Sequence, residues 1–121
     1  MTPWTDQELD RVGRASELRV AGRRPDGTLR GLVTIWSVRV GDSIYVRSVY
    51  GPESAWFRGT RTLGEGRIEV GGITKDVTFA LDPTLDDKVN AAYRAKYGAG
   101  GPVRAITSDP ATRTTLRIDP R

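Results

Sequence analysis

Residues 29–61 read LRGLVTIWSVRVGDSIYVRSVYGPESAWFRGTR, and this run decides the fold. Residues 29–40 are rich in β-branched and aromatic side chains, which predicts a long strand. Gly41-Asp42 supplies hairpin chemistry, and residues 43–49 form the returning strand. Side chains alternate across a strand. Ile44, Val46, Ser48 and Tyr50 therefore share one side, and Tyr45, Arg47 and Val49 the other. Tyr50-Gly51-Pro52 is a turn. A helical turn over 54–61 would put Arg58 and Arg61 on one face at i and i+3, with its free N–H groups available to an anion.

Working outward, Thr5-Asp6-Gln7-Glu8 has the spacing of a capping box and opens a short helix from Asp6 to about Ala15, weakened by Gly13. Residues 17–24 become extended. Pro25-Asp26-Gly27-Thr28 is a turn. On the C-terminal side, residues 66–70 and 73–81 form a hairpin around Gly71-Gly72. Residues 85–97 follow the helical period, with Asp86 and Asp87 favoured near the helix N-terminus and Gly98 as the stop. Residues 98–102 (GAGGP) read as a flexible loop, Ser108-Asp109-Pro110 as a turn or one helical turn, and residues 114–120 as a last strand. Consecutive antiparallel strands with peripheral helices predict an α+β domain built on a small barrel, with residues 1–121 as one domain.

Composition restricts the chemistry. The 121 residues contain no cysteine and no histidine. Disulfides, thiolate nucleophiles, His-ligated metals and a Ser-His-Asp arrangement are thereby removed. An enzyme built from this chain works with carboxylates, Lys, Arg, Tyr and hydroxyls, or lets a cofactor carry the chemistry. No apolar run has the length of a membrane span and no signal-peptide pattern opens the chain, so a cytoplasmic protein is expected. The net charge is +4, and only Lys75, Lys88 and Lys96 among 19 basic residues are lysine. The arginine fork suits phosphate and carboxylate, so anionic partners are expected.

Each candidate residue has a plain reading beside a functional one. Arg47 interrupts an apolar face near a strand end. It is an exposed edge arginine, or pairs with an acid such as Glu69 or Asp76, or meets an anionic ligand. Ser48 can donate a hydroxyl to a phosphate, but alternation sets it apart from Arg47. Trp56 reads first as core. Arg24 and Arg30, flanking the 25–28 turn, either solubilise the loop or face a phosphate. Asp86 and Asp87 diverge by about 100° on a helix and do not converge on a metal. Tyr93 and Tyr97 read as packing at i and i+4.

The segments RPDGTLR, IWSVRVGDSIYVRS, WFRG, GGITKDVTF and AAYRAKYG resemble a small bacterial family of unknown function, DUF2255. More broadly, residues 22 to about 80 are similar to the flavin-binding split-barrel superfamily. That superfamily includes the deazaflavin-dependent nitroreductases and the pyridoxamine-phosphate-oxidase-like proteins. The resemblance implies a small antiparallel six-stranded split β-barrel with peripheral helices, and a homodimer with a cofactor, FMN or a deazaflavin, near the subunit interface. It implies phosphate contacts from the basic turn before the second strand and from the segment after the third: Arg24, Arg30, Arg47, Ser48, Trp56, Arg58 and Arg61. Where nitroreductase-like members have Trp followed by Asn-Leu, this chain has WFRGTR. The expected function is a flavin- or deazaflavin-dependent oxidoreductase acting on a small molecule. The alternative is a non-catalytic barrel that binds a small ligand without flavin. Nucleic-acid binding ranks last, because the basic residues are spread along the chain rather than clustered.

Overall fold

The structure, a computed structural model, describes residues 3–121. Its chain order is α1 (Asp6–Arg14), β1 (Leu18–Gly22), β2 (Val33–Ile35), β3 (Ser37–Val40), β4 (Ser43–Val46), α2 (Ala55–Leu63), β5 (Glu65–Val70), β6 (Ile73–Leu81), α3 (Asp86–Tyr97), α4 (Gly101–Ile106), α5 (Asp109–Thr112) and β7 (Leu116–Pro120). The capping box forms: the Glu8 N–H donates to Thr5 Oγ1 at 3.1 Å and the Thr5 N–H to Glu8 Oε1 at 2.9 Å. Leu9 and Val12 then bury one face of α1.

All the strands lie in one antiparallel sheet of order β2-β1-β5-β6-β7-β4-β3. Its two edge strands are consecutive in the chain, separated by Trp36 alone. The sheet is thus curled into a nearly closed barrel, as α+β reasoning expects. It has seven strands where the resemblance implies six, and the physical reason lies in residues 29–40. This run meets both edges of the curled sheet and bends between them. The run breaks at Trp36 into β2, which pairs with β1, and β3, which pairs with β4.

Two apolar clusters flank the sheet. The barrel interior holds Leu18, Val20, Ile44, Val46, Ile68, Val77, Leu116 and Ile118, with Trp4 and Phe57 closing on it. The outer cluster packs Val38 and Tyr45 under α3–α5 through Val89, Tyr93, Ile106 and Ala111. The alternation read on β4 is therefore borne out: Ile44 and Val46 point inward, and Tyr45 points to the helices. Two expectations change. The 98–102 stretch is only partly a loop, because Gly101-Pro102 starts α4, with proline in the first helical turn where its missing N–H costs nothing. Gly13 does not interrupt α1. Among the described residues, no helix is long and apolar enough to cross a membrane.

Candidate functional site

Two adjoining pockets flank Trp56, at the N-terminal end of α2. One is an apolar cleft of about 310 Å³, lined by β2 (Val33, Thr34, Ile35), Trp36, Val49 and Tyr50 of the turn after β4, and Pro102 and Ile106 of α4, with Arg47 also on its wall. The other, about 220 Å³, is basic: Arg24 and Arg30 face it together with Ala21, Gly22, Gly31 and Ala55. Val33 and Trp56 line both. A ligand with a planar apolar body and an anionic end matches this pairing.

The basic pocket is built by a close approach of two backbones. At Gly22 an added Cβ would come within 2.5 Å of the Gly59 carbonyl oxygen, so β1 approaches the α2 backbone this closely only because Gly22 lacks a side chain. Gly59 also seats Arg30, since a Cβ there would lie 2.8 Å from Arg30 Cδ. Arg30 Nε is buried with no hydrogen-bond partner among the described residues. A buried donor left unpaired is costly, and an anion would satisfy it. Arg24 places Nη1 on Thr28 Oγ1 (3.3 Å) and the Leu29 carbonyl (3.1 Å), which braces the arginine from within its own turn. Asp26 accepts the Thr28 hydroxyl and N–H, and those bonds hold its carboxyl below the usual range. The neighbouring Arg23 turns away to Asp76 at 3.2 Å.

The N-terminus of α2 adds a second source of positive potential. Its N-cap, Ser54, makes no side-chain capping bond, and the first turn carries no acid. Instead the Ser54 hydroxyl lies 2.6 Å from the Ser48 hydroxyl. The helix therefore starts with first-turn N–H groups that no side chain caps, at residues 55 and 56 that line the basic pocket.

The sequence candidates thus divide. The structure brings Arg24, Arg30 and Trp56 around one pocket. Ser48 is buried beside the α2 N-cap, with its own N–H on Thr114 Oγ1 at 2.8 Å. Arg58 and Arg61 stand on exposed positions of α2. Arg47 is 1% exposed and lies on the helix side of β4. Its Nε donates to Thr115 Oγ1 at 2.9 Å, Nη1 to Asn90 Oδ1 and to the Ile106 carbonyl (3.2 Å), and Nη2 to the Asp86 carbonyl (3.4 Å) and Oδ1 (3.3 Å). All five N–H groups of the guanidinium have protein acceptors. The acid that pairs with Arg47 is Asp86, not Glu69 or Asp76, which serve Arg19 and the Arg23/Arg67 pair. Burial lowers the Arg47 pKa from its ordinary value, and the nearby Tyr93 and Asp86 oppose that shift.

Sequence reasoning missed the cleft's other walls. Val33 and Val49 look like ordinary strand residues. Pro102 and Ile106 follow a glycine-rich stretch that hides a helix start, although Gly-Pro before an apolar pair is the signal that could reveal it. Gly59 is unreadable without knowing what crosses α2.

Residues 8–118 match the family model described as "Uncharacterized protein conserved in bacteria (DUF2255)". No curated protein matches the chain. Among solved structures, the heme storage protein HutZ of Vibrio cholerae aligns with TM-score 0.70 at 12% identity, covering 99% of this chain and 92% of that one. An F420 reductase aligns with TM-score 0.61 at 12% identity, covering 98% and 96%. A pyridoxamine 5′-phosphate oxidase candidate of Corynebacterium glutamicum aligns with TM-score 0.52 at 18% identity, covering 99% and 87%. At these identities the likeness is one of fold, a small antiparallel barrel with peripheral helices.

Proposed function

Because the chain belongs to the bacterial family DUF2255, with a fold like that of an F420 reductase and a pyridoxamine-phosphate-oxidase-like protein, we propose that it is a flavin- or deazaflavin-dependent oxidoreductase acting on a small molecule. The observation that carries this reading is the buried, unpartnered Arg30 Nε next to an apolar cleft, with Trp56 shared between the two. Arg30 and Arg24 would hold the cofactor phosphate, helped by the open N-terminus of α2, while Arg58 adds long-range positive potential. Trp56, Trp36 and Val33 would flank the ring. A bound flavin or deazaflavin supplies hydride transfer, which this chain cannot do with its own side chains. The protein's share is to bind, orient and exclude water.

The exclusion of water points to a second copy of the chain. The cleft is open, β2 is an edge strand, and Val33 (38% exposed), Val49 (38%) and Tyr50 (85%) rim it. Exposed apolar edge positions of this kind are usually covered. A homodimer closing over the cleft would cover them.

The decisive experiment is a visible spectrum of the purified protein, followed by titration with FMN, riboflavin, F420 and hemin. Low-micromolar or tighter binding of FMN or F420, with riboflavin weaker than FMN, supports the reading. Failure of both cofactors to bind removes it. One observation favours the alternative, a non-catalytic binding barrel: among the described residues, no acid lines the apolar cleft, and its titratable residues are only Arg47 and Tyr50. Binding of hemin or another small ligand, with neither FMN nor F420 bound, would select that alternative.

A further inference from the structure

We infer that Arg47 is the positioning residue of the cleft: it holds α4 in place as the wall against which a ring ligand packs, rather than touching that ligand's phosphate. This rests on the proposal above that the cleft is the ligand site, and deepens it. Three observations carry it. First, the guanidinium has no donor to spare, since its five N–H groups end on Thr115, Asn90, Ile106 and Asp86. Second, these acceptors come from α3, α4 and the turn entering β7, so one side chain from the end of β4 joins three separate elements. Third, apart from the buried Val103 and Ile106 side chains, α4 has few ties to the barrel. It is six residues long and follows Gly98-Ala99-Gly100. Among the described residues, the Arg47–Ile106 bond is the one hydrogen bond that ties it to the barrel. Ile106 is its last residue, so its carbonyl is one of those a helix end leaves unserved, and a cation there is favoured. Ile106 and Pro102 of that helix line the cleft. The Tyr93 ring, 5.7 Å from Arg47 Cζ, braces the guanidinium from α3.

A binding wall must be held by its own supporting contacts to be worth anything to a ligand. Lysine at position 47 keeps the charge but cannot span the Thr115 hydroxyl and the Ile106 carbonyl together. The test compares wild type with Arg47→Lys and Arg47→Met by amide hydrogen exchange and by titration with riboflavin and FMN. Exchange in α4 is expected to rise about tenfold more than in the β5–β6 hairpin, which reports local release rather than global loss of stability. Affinity for riboflavin and FMN is expected to fall together, by about tenfold, with their ratio unchanged. If FMN affinity falls while riboflavin affinity holds, Arg47 is a phosphate ligand and the inference is overturned. It is equally overturned if α4 exchange matches that of the hairpin. Arg47→Lys carries the test if Arg47→Met fails to fold. If wild type binds neither flavin, the functional proposal falls, and the α4 exchange, with Nile red as a neutral occupant of the cleft, still decides the role of Arg47.

Discussion

Arg30 stands two positions past a turn and Arg47 one past a strand end, yet their guanidinium groups finish in opposite situations. Arg47 is ringed by acceptors, whereas Arg30 buries an Nε with none. Their mutants should separate accordingly. Arg30→Gln removes a charge from the basic pocket and should weaken FMN by about 1.5–3 kcal/mol, the value of a hydrogen bond to a charged group. Riboflavin, which lacks the phosphate, should be nearly unaffected. Equal losses for the two ligands would show that Arg30 does not meet a phosphate. Arg47→Ala should instead cost folding stability. It strips the partner from Asp86, whose side chain is 25% exposed, and strands acceptors from three elements. About 3 kcal/mol, the lower end for breaking a buried ion pair, is expected as a lowered urea midpoint. A loss under 1 kcal/mol would contradict the bonding seen. At this scale the residue types are legible in the sequence, and so is the strand alternation that puts Arg47 opposite Ser48. The partner is not, because Asp86 lies 39 positions away on a helix whose docking depends on the whole barrel.

The elements show the same division between what local chemistry writes and what packing decides. The capping box of α1, the glycine hairpin between β5 and β6, and the acid-opened α3 are all spelled in neighbouring residues and all form. The break at Trp36 is not spelled locally, since Val-Thr-Ile-Trp-Ser-Val favours extended backbone throughout. It follows from closing the sheet. The contact of β1 with α2 is likewise a tertiary demand, placed on Gly22. Gly22→Ala sets a Cβ 2.5 Å from a backbone oxygen, which cannot move aside cheaply, and should cost about 1–3 kcal/mol, as overpacking does. Gly59→Ala meets only the flexible Arg30 stem and gains up to about 1 kcal/mol of helix propensity. Its folding stability should hold or rise while FMN binding weakens, because Arg30 must leave its seat; calorimetry on both variants with and without FMN checks the pair. The joint of α3 with α1 and β3 is pH-sensitive. Lys96 donates to the Val12 carbonyl (3.2 Å) and the Ser37 carbonyl (2.7 Å), and burial pushes its pKa down to about 8 from an ordinary 10.5. Between those values the unfolded chain keeps a proton that the folded one has shed, so stability rises with pH across that window and the penalty is complete below it. The thermal midpoint should therefore gain between about pH 7.5 and pH 9.5 in wild type, and the gain should shrink in Lys96→Met. An unchanged gain would place its origin elsewhere.

For the whole molecule, the question is what a nearly closed barrel does with the one side it leaves open. The sheet runs from β2 to β3, and the chain itself bridges these edges at Trp36, so the remaining free hydrogen-bonding edge of β2 lies beside the apolar cleft. There Val33 and Thr34 are exposed, Trp36 stacks on Tyr97 with ring centres 4.0 Å apart, and Tyr50 stands 85% exposed on a turn. A ring ligand in this cleft would keep one face in water. Hydride chemistry is better served by a site from which water is displaced, and burying Val33, Val49 and Tyr50 against a second copy would do both. The proposed dimer therefore makes a joint prediction. Sedimentation equilibrium should show a dimer at micromolar concentration. Tyr50→Glu, placing a charge in the covered patch, should shift it to monomer without lowering the thermal midpoint by more than a few degrees, since this 85% exposed side chain does not contribute to the monomer's core. If the cleft is completed by the partner, the same variant should lose flavin affinity in proportion to the monomer fraction, and raising protein concentration should restore it, because dimerisation and binding are then linked. A wild-type monomer that binds FMN tightly would separate the two proposals, leaving the cofactor reading intact and the second copy unneeded.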